Sequence, residues 1–150
     1  MIDDYFENLE KTVLDFKRII KSYSIFKKAY NEKQGYIKGD IVFANNSQLC
    51  FIEVKNTEVS PKNKYRYHYM DKGNGLIFRY DNAYHHKELK TFPNHKHNIS
   101  DEVCESHEPE LYDILIDIQK YINLEQKKKR DGARKSANIG LKKETGRKRR

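Results

Sequence analysis

After Ser22 the chain breaks into five short runs in which apolar and polar residues alternate: SIFKKAYN, GYIKGDIVFA, QLCFIEVKN, KYRYHYMD and GLIFRYD. Alternation with period two sends successive side chains to opposite faces, the pattern of a half-buried strand rather than of a helix. Turn signals separate the runs at Gln34-Gly35, Asn45-Asn46-Ser47, Ser60 to Asn63 and Asp71 to Gly75. Five strands in series with short connections predict an antiparallel meander.

Two helical patterns flank these runs. Ile2, Tyr5, Phe6, Leu9, Val13, Phe16, Ile20 and Tyr23 recur every three to four positions and predict a first amphipathic helix over roughly residues 3 to 22. Pro109 suits a helix start, and Leu111, Leu115, Ile118 and Ile122, with Ile114 and Tyr121 beside them, predict a second helix ending near Gln126. From Asn82 to Glu108 neither period holds, and the residues are rich in His, Asn and charge. We read that segment as a long ordered loop, and long loops in compact domains are usually functional. The expected fold is therefore α+β: a five-stranded antiparallel meander with a helix at each end and a His-rich loop.

Charge divides the chain. Of its 30 Lys and Arg, twelve lie between Lys127 and Arg150 against only Asp131 and Glu144, so the tail carries +10 and the rest about −2. A stretch with no apolar face is expected to be disordered alone and to seek nucleic acid or an acidic partner. This gives one domain over residues 1–126 and a basic tail over 127–150. Cys50 and Cys104 are too few for a disulfide framework and form no Cys-x-x-Cys, which suggests a reducing compartment. No apolar run approaches the roughly 18 residues of a membrane helix, and the acidic start MIDDYFENLE is unlike a signal peptide. A cytoplasmic protein with no membrane contact is expected.

Five of the six histidines, His68, His85, His86, His95 and His97, fall between Tyr65 and His97. Alternation places Tyr65, Tyr67 and Tyr69 on one face of their strand and Arg66 with His68 on the other; Arg79 likewise lies opposite Phe78 and Tyr80. A half-buried hairpin with a solvated Arg and His face is the commoner source of this pattern, since exposed polar strand faces are ordinary. Asp81 with Asn82 is an ordinary turn start, yet an Asp beside histidines can fix an imidazole tautomer. Adjacent His85 and His86 cannot both point easily into one site. His95 and His97, two apart, project to one side of an extended segment, where they fit a metal grip with His85 or His86, metal-free acid–base work, or a merely structural role. Cleavage of RNA through its own 2′-hydroxyl needs a base, an acid and a cation for the phosphate, and histidines with Arg or Lys supply that set.

Taken together, YRYHY, LIFRYDNAYHH, ELKTFPNHKH and the closing amphipathic helix resemble the TumE family of toxin–antitoxin toxins. The matching positions are Tyr67, His68, Arg79, Tyr80, Asp81, Asn82, His85, His86, Pro93, His95, Lys96 and His97. Two features depart from the family pattern: Tyr84 stands where the family tends to have Pro, and the stretch from Lys127 extends past the usual end. The resemblance implies a toxin of a type II pair, with an antitoxin as partner and RNA as target.

The expected activity is a metal-independent endoribonuclease with no cofactor. His85, His86, His95, His97, Arg79 and Asp81 are its catalytic candidates, and Arg66, His68, Lys96, Tyr67 and Tyr80 its substrate-binding ones. A divalent metal at the four loop histidines is the lesser option. The competing readings are a non-catalytic nucleic-acid-binding module and an RNA-modifying transferase.

Overall fold

The computed structural model describes residues 1–147, with side chains to residue 137. It divides into two compact units, Met1–Leu115 and Ile116–Arg150.

In the first unit helix α1 (Ile2–Asp15) leads into seven strands, β1 (Ile20–Ala29), β2 (Gln34–Phe43), β3 (Gln48–Asn56), β4 (Lys64–Met70), β5 (Leu76–Asp81), β6 (His95–His97) and β7 (Val103–Glu105). They pair antiparallel in sequence order as one open sheet. The meander expected from the alternating runs is present, but it has seven strands rather than five. β6 and β7 fall within residues 82–108, where a loop was expected. Each is three residues long, and His-Lys-His carries no apolar alternation, so pairing with β5 on one side and β7 on the other orders it. The first helix is also shorter than its apolar period suggests. The chain leaves α1 at Phe16, and the β-branched Ile20 begins β1 by pairing with Phe43. A ladder of backbone hydrogen bonds here outweighs local helix preference.

One face of the sheet is the core face. Ile37, Ile41, Leu49, Phe51, Tyr67 and Phe78 are buried there, as are Ile2, Phe6, Leu9 and Val13 from the apolar stripe of α1. Fully burying such side chains stabilises the fold by roughly 1.5–3 kcal/mol each. A carboxylate also lies within this core: Glu53 is fully buried, accepts a hydrogen bond from the Tyr5 hydroxyl, and is raised above the usual carboxyl value, chiefly by burial.

Helix α2 spans Leu111–Arg147 and so crosses from the first unit into the second. Leu111, Ile114 and Leu115 are buried, and Tyr112 meets the ring of Phe16 edge-on at 5.7 Å. The helix does not end near Gln126: the stretch expected to be disordered is helical from Lys127 to Arg147. That stretch lacks proline and is rich in Lys and Arg, which are good helix formers, although it carries Gly132, Gly140 and Gly146. Residues 148–150 of the expected tail lie outside the described residues. Among the described residues no helix is long and apolar enough to cross a membrane.

Candidate functional site

Strand register builds the site. Asp81 pairs with His95 and Arg79 with His97 across β5 and β6, while Arg66 pairs with Asp81 and His68 with Arg79 across β4 and β5. Cross-strand partners point to the same side, so all six side chains stand on the sheet face opposite the core. Arg66, Arg79, Asp81, His95 and His97 line a cavity of about 590 Å³ that also takes in His85, His86 and Asn82.

Hydrogen bonds give the two strand histidines different protonation patterns. His95 is 2% exposed; Nδ1 lies 2.9 Å from the Pro93 carbonyl and Nε2 lies 2.9 Å from Asp81 Oδ1. A carbonyl and a carboxylate only accept, so the Asp81–His95 pair holds a proton between its members. The Asp81 carboxylate accepts further from Arg79 Nε at 3.2 Å and from the Ala83 amide at 3.1 Å. His97 is arranged the other way. Its Nδ1 donates to Asp101 Oδ1 at 3.0 Å, and Arg79 Nη2 donates to its Nε2 at 3.0 Å, leaving the ring neutral with its Nε2 lone pair held by Arg79. Burial first, and then the Arg79 guanidinium, hold the His97 imidazole below its ordinary pKa. His68 is shifted the same way by burial, Arg79 and Arg66.

His86 completes the group. Its backbone takes φ 61°, a conformation that costs a residue with a Cβ on the order of 1 kcal/mol, and its ring reaches to 5.1 Å from that of His95 and 6.0 Å from that of His97. Nitrogens of His86, His95 and His97 all lie within 4.8 Å of one another. His86 is a third exposed at the cavity mouth, with Nδ1 3.5 Å from Glu88.

The structure thus gathers Arg79, Asp81, His86, His95 and His97, with Arg66 and His68 on the same face and the exposed His85 at the cavity wall. It does not gather Tyr67, Tyr80 and Lys96. Tyr67 is fully buried in the core face, and Lys96 lies over the rings of Tyr80 and Phe78 at 5.0 and 5.6 Å. Sequence reasoning missed Asp101, which sets the His97 tautomer. Nothing marks it in the sequence beyond a carboxylate four residues after a histidine.

A family model described as Toxin TumE matches residues 9–125. The chain belongs to the TumE toxin family. No curated protein and no solved structure matches the chain. The matched residues contain the whole histidine cluster of this TumE toxin and both strands that position it, but not the basic end of α2.

Proposed function

We propose that this TumE toxin cleaves RNA by general acid–base catalysis at the histidine cluster. The observation that carries the reading is a neutral His97 whose Nε2 lone pair accepts from the Arg79 guanidinium at 3.0 Å. A phosphodiester entering the cavity draws the Arg79 guanidinium onto its oxygens, which frees His97 Nε2. His97 then takes the proton of the 2′-hydroxyl, and the 2′-oxygen attacks its own phosphorus. The bond to the 5′-oxygen breaks, and that oxygen takes a proton from protonated His86 at the mouth. Asp81 and His95 are positioning residues: too buried to meet the phosphate, they hold Arg79 in place and support the ring of His86. The basic stretch after Lys127 holds the RNA backbone through counterion release, with little sequence preference. Pairing with a cognate antitoxin follows from the family.

A second reading has its own observation. His95 and His97 both turn Nδ1 outward to an acceptor, as metal-bound imidazoles do, and direct Nε2 toward Asp81. With His86 they could hold a zinc-like ion. The Arg79 guanidinium 3.0 Å from His97 Nε2 places a fixed cation where that ion would lie, which favours the metal-free reading. Mapping the ends of cleaved RNA tests the choice. Attack by the 2′-oxygen leaves a cyclic phosphate and a 5′-hydroxyl; metal-activated water can leave a 3′-hydroxyl and a 5′-phosphate, and those ends would overturn the proposal.

A further inference from the structure

The sheet face that bears the histidines continues, uninterrupted by any helix of the first unit, to the opposite edge of the sheet. Register pairs run Phe26 to Lys38, Lys38 to Ile52, Ile52 to Arg66, Arg66 to Asp81 and Asp81 to His95. Cross-strand partners share a side, so this is one row of side chains across six strands, about 24 Å long at roughly 4.8 Å per strand. A parallel row runs from Lys28 through Tyr36 and Val54 to Lys64.

Two kinds of group populate the far end of these rows. The first is aromatic: Tyr36 lies between Phe26 and Tyr30, with ring centroids 5.9 and 5.8 Å away, and Phe26 and Tyr30 are both more than half exposed. The second is cationic. Lys28, Lys38, Lys64 and Arg66 are exposed on this face, and none forms an ion pair among the described residues. Lys38 sits over the Phe26 ring at 5.4 Å. Asp40 is the acid of β1 to β3 on this face, engaged with the Cys50 thiol beside a hollow of about 190 Å³ that Lys38 and Arg66 also line.

We infer that this face is a binding track for single-stranded RNA, with Phe26, Tyr30 and Tyr36 as a base-stacking platform and Lys38 and Arg66 leading the backbone to the histidine cavity. The inference rests on the RNA-cleaving reading and adds the strand state and path of the substrate. Exposed rings interleaved with unpaired cations suit a polymer that offers both flat bases and phosphates. Duplex RNA hides its base faces within the stack, so it could use the cations but not the rings. The span is enough for several nucleotides beside the cleaved bond.

The test uses the full chain and a fluorescently labelled 2′-O-methyl oligouridylate, which lacks the hydroxyl nucleophile and stays intact. Binding is followed by anisotropy, to the single strand and to the same strand annealed to oligoadenylate. Phe26→Ala and Tyr36→Ala, checked for fold by circular dichroism, are expected to weaken single-strand binding roughly 5- to 100-fold each and to leave duplex binding unchanged. In cleavage assays they should raise KM and spare kcat. Unchanged single-strand affinity, or an equal loss on the duplex, would overturn the track. So would no binding of the single strand by the unsubstituted chain. Loss of antitoxin binding with RNA affinity intact would instead make the face a protein-docking surface. Binding is read without cleavage, so a track that binds as expected in a protein that cuts no RNA would overturn the proposed activity alone.

Discussion

Asp81 and His95 face each other across β5 and β6 with 2.9 Å between Oδ1 and Nε2, and both side chains are nearly removed from water. A carboxylate so placed orders its neighbours: it accepts from His95, Arg79 and the Ala83 amide at once. Asp81→Asn keeps the shape but turns one acceptor into a donor. The expected loss of cleavage is roughly 10²-fold or more at unchanged KM, because the groups Asp81 holds are misaligned rather than removed. Unfolding should become easier by about 1–3 kcal/mol, since buried donors lose their acceptor. Steady-state kinetics and urea titration of the same variant check both.

The pH profile reports on His97. A base must be neutral to act, and the His97 imidazole is held below its ordinary value by burial and then by Arg79. Rate should therefore rise with pH along an acidic limb whose midpoint lies below 6.5, the ordinary histidine value. Arg79→Gln removes one of the two main causes, so that limb should move to higher pH while the maximum rate falls. A limb that stays in place would show that His97 is not the group titrating.

Glu53 makes a prediction about stability alone. Burial raises its carboxyl, so the folded chain keeps a proton that the unfolded chain has already lost. The folded state then binds more protons over that window, and stability falls as pH climbs from the ordinary carboxyl range through the raised value. Glu53→Gln keeps an acceptor for the Tyr5 hydroxyl and removes the buried charge. It should flatten this slope and stabilise the protein by on the order of 1 kcal/mol at neutral pH, read by denaturant titration at several pH values. An unaltered slope would place the titrating group elsewhere.

These expectations draw on parts of the chain that are unequally legible in its sequence. The five longer strands are readable because Ile37, Ile41, Leu49 and Phe51 alternate with polar neighbours, and one buried face imposes that period. The same alternation separates Arg66 and His68 from Tyr67. The assignment of Tyr67, Tyr80 and Lys96 to substrate follows motif membership instead, and all three stand on the core side of the sheet. β6 and β7 cannot be read from the pattern, because strands of three residues without apolar alternation owe their order to a neighbour. Nor can the turn of His86 into the cluster, since its positive φ is imposed by the loop around it. At the other end, Lys127 to Arg147 is rich in Lys and Arg and free of proline but has no apolar face, and reading by apolar period alone misses it.

The central claim is that a neutral His97, backed by Arg79, performs metal-free cleavage of RNA. The measurement that tests it most directly is single-turnover cleavage of RNA by purified protein, treated with chelator and verified metal-free by elemental analysis, with His97→Ala alongside. The account predicts full activity in the chelated protein and a roughly 10²- to 10⁴-fold loss in His97→Ala, with RNA binding little changed. Activity that vanishes with chelator and returns with a divalent ion, or a His97→Ala protein that cleaves as well as the unsubstituted chain, would contradict it.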